Sequence, residues 1–181
     1  MSAPGLPRAA RIGVVVGEDG AGKQTLLLQF VARRRLEGLR VAGVAEVPAP
    51  AGTCACGAHD ALDLATGARF ALSQDLGPGS TACNLDPGGV ALACAAAQRA
   101  IESGADLVVL SKFGKLEAGH GGLCDAFGAA VAAETPVLTT LKPLMRPDWA
   151  LFAGSLSDEL PPSLDALEIW WRGLATTVAS A

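Results

Sequence analysis

The 181-residue chain has no tyrosine, only three tryptophans and five phenylalanines. So few rings leave little for the bases of a single-stranded nucleic acid to stack on. Positive charge is scarce too: 14 lysines and arginines stand against 18 aspartates and glutamates, a net charge of −4. The one basic run, Arg33-Arg34-Arg35 with Arg40 nearby, falls at the end of a predicted helix, where cations suit the dipole. No nucleic-acid partner is expected. No uncharged stretch approaches the ~18–20 residues of a membrane-spanning helix, so membrane insertion is not expected either. Residues 1–11 lack the apolar segment of a secretory signal. Residues 1–10 are expected to be a flexible tail, 11–181 a single domain, and the setting cytoplasmic. The five cysteines, an odd number, fit reduced thiols rather than a disulfide framework.

What is abundant is small. The chain holds 35 alanines and 22 glycines, which suits helices laid closely on a sheet. Residues 11–16 are apolar and β-branched and predict a buried strand. After a Gly-rich stretch, 17–24, apolar positions 26, 27, 28, 30, 31 and 36 predict a helix over 25–36, stopped at Gly38. Further strands are expected over 40–47, 106–111 and 136–140, with helices over 86–103, 123–134 and 163–177 and a short one at 149–152. Two short strands, 61–64 and 69–72, flank Ala65-Thr66-Gly67-Ala68 and predict a hairpin. Alternation of strands and helices implies a mostly parallel sheet covered on both faces. Ligands of such sheets bind at the carboxyl ends of the strands. Two Gly-rich stretches fall there: 17–24 and 112–122.

Gly17-x-x-x-x-Gly22-Lys23 matches the first seven positions of the P-loop pattern, between a strand and a helix as the pattern requires. Glycines let successive amides curl round an anion, and the helix N-terminus adds partial positive charge. The expected anion site comprises Gly17, Gly20, Ala21, Gly22, Lys23, Gln24 and Thr25, joined by Lys112 and Lys115 from the second Gly-rich stretch. Two positions depart from a hydrolytic P-loop. The residue after Lys23 should be a Ser or Thr that ligates Mg²⁺, and it is Gln24. The strand at 106–111 should end in an acid, and it ends in Ser111-Lys112.

Residues 106–119, DLVVLSKFGKLEAG, and 73–86, SQDLGPGSTACNLD, resemble the two signatures of a bacterial family whose domain has no known function within the P-loop superfamily. The resemblance spans roughly residues 11 to 160. It implies a P-loop NTPase-like three-layer α/β sandwich, with a mostly parallel sheet and an inserted β-hairpin. It also implies genes lying beside those for molybdate uptake or nitrogenase. The layout is similar to that of the thermophilic nucleoside-triphosphatase family, whose corresponding strand ends in Asp-Glu-x-Gly-x-x-Glu. Carried over, Ser111, Lys112, Gly114 and Glu117 take those places, and Glu117 would be the catalytic carboxylate that polarises water. Ser111 replaces the family's Asn, and Asn84 replaces a commonly basic residue. An expected Arg in the second loop is absent, with His120 nearby. Many members lack the phosphate-loop lysine, which this chain keeps as Lys23.

Among the cysteines, Cys54-Ala-Cys56 with His59, and Cys83 on another loop, could offer a metal site or simply unpaired thiols. Cys94 and Cys124 are expected in the core. Neighbours on a helix diverge by ~100°. Of Trp170 and Trp171, one is therefore expected inside and the other available to a second copy of the chain, as in a homodimer. The expected function is a nucleotide-binding P-loop protein, for ATP or GTP, with weak or no NTPase activity and an unsettled need for Mg²⁺. The alternative is a non-enzymatic binder or sensor of a small oxyanion such as molybdate.

Overall fold

The apolar run near the N-terminus forms strand β1 (Ile12–Val16), which enters the Gly-rich loop and then helix α1 (Lys23–Leu36). A computed structural model describes residues 11–19, 22–50, 58–74 and 84–176. The N-terminal tail and residues 54, 56 and 83 lie outside the described residues. Next come β2 (Val41–Pro48), the hairpin strands β3 (His59–Asp63) and β4 (Arg69–Ala71), and a small pair, β5 (Ser73–Gln74) and β6 (Asn84–Leu85). Helix α2 (Pro87–Glu102) starts as its sequence dictates: Asp86 caps it by accepting from the Gly88 amide, and proline follows the cap. Then follow β7 (Leu107–Phe113), α3 (Lys115–Ala118), α4 (Cys124–Ala132), β8 (Val137–Leu141), α5 (Arg146–Ala153), β9 (Ser157–Leu160) and α6 (Leu164–Thr176).

The main sheet has seven strands in the order β4-β3-β2-β7-β8-β1-β9. Strands β2, β7, β8, β1 and β9 are parallel, whereas β3 and β4 run antiparallel at one edge. The hairpin therefore extends the main sheet. On one face α2, α4 and α5 bury Ala93, Ala97, Phe127 and Trp149 against Val14, Val108 and Leu110. On the other, α1 and α6 bury Leu27, Phe30 and Leu167 against Val15, Val109 and Leu138. Small side chains on α2 let it lie close to the sheet, as the alanine count predicts.

One feature of the topology sets the site. Strand β8 lies between β1 and β7, so its tip stands between the two Gly-rich loops.

Four departures from the sequence expectations bear on the site and the core. Helix α1 begins at Lys23 rather than residue 25, and β7 runs on through Lys112 and Phe113. Strand β9, of sequence SDEL, was not expected, because it lacks apolar alternation and is held at the edge by its pairing with β1. The tryptophans are the fourth. Trp170 and Trp171 are both buried, so neither indole is available to a second copy. Helix α6 lies in the corner between the sheet and α1. Trp170 covers the β1–β9 edge and donates from Nε1 to Asp158, 3.1 Å away. Trp171 meets Phe30 of α1 edge-on at 6.2 Å, with the buried Arg34 guanidinium over both rings. Two directions ~100° apart are thus both inward. Cys94 is buried as expected, while Cys124 is half-buried. Burial pushes both thiols above their ordinary values.

Candidate functional site

Gly22 has φ +66°, the left-handed turn that brings the loop into α1 and that glycine adopts without strain. At the other end of the loop, the Gly17 amide donates to the Leu141 carbonyl at the tip of β8, 3.1 Å away. Lys23 opens the helix, and its Nζ curls back to donate to the carbonyls of Gly17 and Glu18, the latter at 2.7 Å. The ammonium thus sits in the curve of the loop. Burial lowers its pKa, and Asp19 works in the opposite direction. The first turn of α1 carries no acidic side chain to compete for its free amides. Gly20 and Ala21 lie outside the described residues.

Around this loop opens a cavity of about 920 Å³, lined by Lys23, Lys112, Lys115 and Lys142. These are all the lysines of the chain. Lys142, just past β8, donates to Asp19 at 2.6 Å and holds that carboxyl below its ordinary pKa. Lys112 meets Glu46 Oε2 at 2.8 Å, and His59 Nδ1 lies 3.8 Å from the other oxygen of that carboxylate. The Lys112 ammonium thus has a carboxylate partner of its own in Glu46. Lys115 is exposed and has no carboxylate partner among the described residues. Sequence reasoning missed Lys142 and Glu46. Both stand at strand tips, so the rule that ligands gather there could have found them.

Gln24 explains its own departure from the pattern. Its Nε2 donates to the Ser111 carbonyl at 2.6 Å, and its Oε1 accepts from the Glu46 amide at 3.2 Å. The side chain bridges α1 to β7 and β2 and is not aimed at a metal. Thr25 is exposed and lines the cavity. With Gln24 tied to backbone and the tip of β7 holding Lys112, the residues here do not fit the Mg²⁺ site of hydrolytic P-loops. Among the described residues no group of three or more His, Cys, Asp or Glu side chains could hold a metal ion.

Glu117 is buried rather than solvated. One of its oxygens accepts from the Gly114 amide and the other from the Leu123 amide, each at 3.0 Å. The second Gly-rich loop thus wraps round this carboxylate. Gly122, at φ +61°, leaves space that a Cβ would fill 2.1 Å from Oε1. Glu117 is absent from the lining of the phosphate-loop cavity, as is His120.

A second cavity, also about 920 Å³, opens at the opposite ends of β2 and β7. The C-terminal ends of α1 and α2 face it, and although Arg35, Arg40 and Arg99 line it, it holds neither the phosphate-loop residues nor any lysine. The strand-tip cavity is the functional candidate.

A parallel sheet, a Gly-rich turn from strand to helix with lysine in the first turn, and a strand inserted between β1 and β7 define a P-loop NTPase-like α/β protein. The chain belongs to the family described as "Protein of unknown function (DUF2478)", whose model matches residues 12–170. It is 33% identical over 162 residues to the Molybdenum import ATP-binding protein ModC 2 of Bradyrhizobium diazoefficiens. That alignment covers 90% of this chain and 18% of the relative's length. In fold the chain is similar to THEP1 from the hyperthermophile Aquifex aeolicus, with a TM-score of 0.60 and 14% identity over 92% of this chain and 98% of that one. No helix among the described residues is long and apolar enough to cross a membrane.

Proposed function

We propose that the chain binds the phosphates of a nucleoside triphosphate, ATP or GTP, on the 17–24 loop and turns it over slowly or not at all. The observation that carries this reading is the Lys23 ammonium seated inside a loop that ends on the free amides of α1. Lys112 and Lys115 add positive charge across the cavity. The ATP-binding named for the ModC relative supports the choice of ligand, although the region shared is a small part of that protein. Slow turnover follows from Gln24 and Lys112, which stand where hydrolytic relatives place Mg²⁺ ligands. Glu117, whose oxygens serve two amides, then acts by holding the second loop.

A second reading is favoured by the gathering of every lysine on one cavity. In it the ligand is a free tetrahedral oxyanion, and the molybdenum named for the relative makes molybdate the one to try. Calorimetric titration with ATP, GTP, tripolyphosphate, phosphate and molybdate, with and without Mg²⁺, tests both. Binding of ATP or GTP that Lys23→Ala abolishes supports the first. Binding of molybdate alone supports the second. Binding of none of the five overturns both.

A further inference from the structure

Beyond Lys112 the phosphate-loop cavity continues into a smaller pocket of about 280 Å³. Glu46, His59, Lys112, Gly114 and Lys115 border both spaces. The inner wall is different in character. It is made by Val44 of β2, Ala61 of β3, Leu72, Val90 and Ala93 of α2, and Leu123. The volume lies just below the ~300–1,000 Å³ of drug-sized ligand sites, which limits the occupant to a small molecule.

The topology decides what part of a ligand this pocket would face. In P-loop proteins the tip of the strand corresponding to β7 holds the metal that bridges the β- and γ-phosphates. That tip therefore marks the terminal-phosphate side of the site. The pocket lies on the far side of it, over β2 and β3, away from β1. A base attached to the other end of the phosphate chain would not reach it.

Charge at the rim narrows the chemistry. The Lys112 ammonium is paired with Glu46, and the Glu117 oxygens are taken by the Gly114 and Leu123 amides. Lys115 remains without a carboxylate partner among the described residues, at the junction of the two spaces. An anionic group on the occupant gains that partner, and its apolar body gains the wall.

We propose that this pocket is a second ligand site, taking a small, mainly apolar molecule that carries one anionic group, beside the terminal phosphate of a ligand on the 17–24 loop. The placement beside a phosphate rests on the proposed function, whereas the pocket's own binding does not.

The test uses benzoate as probe and benzamide as its uncharged counterpart, with ligand-detected NMR for binding and tripolyphosphate titrated in parallel. Wild type is expected to bind benzoate more tightly than benzamide. Val90→Trp, which fills the pocket, should weaken benzoate at least ~10-fold and leave tripolyphosphate within about twofold. Lys115→Ala, on an exposed side chain, should bring benzoate down to the level of benzamide, and it serves even where the tryptophan variant fails to fold. Absence of benzoate binding to wild type, or equal binding by both variants, overturns the second site. If benzoate binds as expected and tripolyphosphate does not bind wild type, the phosphate-loop reading fails alone. If tripolyphosphate binds and benzoate does not, only the second site fails.

Discussion

Glu46 and Lys112 face each other across the tips of β2 and β7, carboxylate to ammonium at 2.8 Å. In a hydrolytic P-loop the carboxylate would sit on the β7 tip. Here the β7 tip carries the cation and the neighbouring strand carries the acid. The exchange keeps a pair of charges beside the phosphate loop but gives the acid to Lys112 instead of a metal.

Freeing Lys112 should strengthen anion binding. Glu46→Gln removes the competing carboxylate, and tripolyphosphate affinity is expected to rise about two- to fivefold, the scale of a half-exposed ion pair. Lys112→Ala should lower it by a similar factor. Calorimetry on the two variants checks the signs, and equal affinities in both would place Lys112 outside the site.

Lys23 predicts a pH dependence. Burial holds its pKa below the ordinary value of 10.5 in the folded chain. Phosphate binding needs the ammonium, so affinity is expected to fall as pH rises through this lowered value, earlier than for an ordinary lysine. Between the lowered pKa and the ordinary one, the unfolded chain holds the proton more tightly than the folded one. Stability therefore gains from Lys23 as pH rises across that window, and below it the buried ammonium carries a constant cost. Tripolyphosphate titrations at stepped alkaline pH test the binding limb. In Lys23→Arg, whose guanidinium stays charged, that pH dependence should be absent.

Gln24 ties α1 to two strands, so its loss should be felt in stability. Gln24→Ser removes the bonds to the Ser111 carbonyl and the Glu46 amide and is expected to cost about 1–3 kcal/mol in chemical denaturation. Combined with Lys112→Asp, it supplies a hydroxyl and an acid at the positions where hydrolytic P-loops hold Mg²⁺. Wild-type ATP turnover is expected below the ~1 per second at which ordinary enzymes begin. Turnover by the double variant should depend on added Mg²⁺. A phosphate-release assay reads both.

Glu117 offers a contrast between chemistry and architecture. Glu117→Ala leaves the Gly114 and Leu123 amides without their acceptor, at roughly 1–3 kcal/mol for each buried group. Glu117→Gln keeps one acceptor oxygen and should recover part of the loss. A shift in the unfolding midpoint with unchanged residual turnover is the expected pattern. Loss of turnover in the Gln variant at unchanged stability would instead assign Glu117 to the chemistry.

The sheet was legible where a strand was mainly apolar and β-branched. Residues 12–15, 107–110 and 137–141 are buried in the parallel sheet, Thr139 and Thr140 among them, and burial on both faces writes itself into composition. Strand β9 left no such trace, because its Ser157-Asp158-Glu159 is polar and it pairs with β1 at the edge of the sheet. Within the site, Gly22 and Lys23 were legible because their roles are local, set by one turn and one helix end. Glu46 and Lys142 were not. Each acts through a partner, 66 and 123 residues away respectively in sequence, and only the strand order β2-β7-β8-β1 brings them to the loop. The tryptophan pair misled for a similar reason, since helical geometry fixes two directions but not what fills each of them.

The Ser111 carbonyl lies where the β7–β8 register shifts, and it accepts from Gln24 Nε2 of α1 and from Thr140 Oγ1 of β8 at 2.9 Å. A carbonyl has two lone pairs, so this oxygen is saturated by side chains from two different elements. With the Gly17 amide fastened to Leu141, the beginning of the phosphate loop, the tip of β8 and the start of the second loop share a single rivet. Stiffening any one of them stiffens the others. An anion that binds at Lys23 alone should slow amide hydrogen exchange not just at Gly17 but also at Gly114, across two strands, with no contact to the latter.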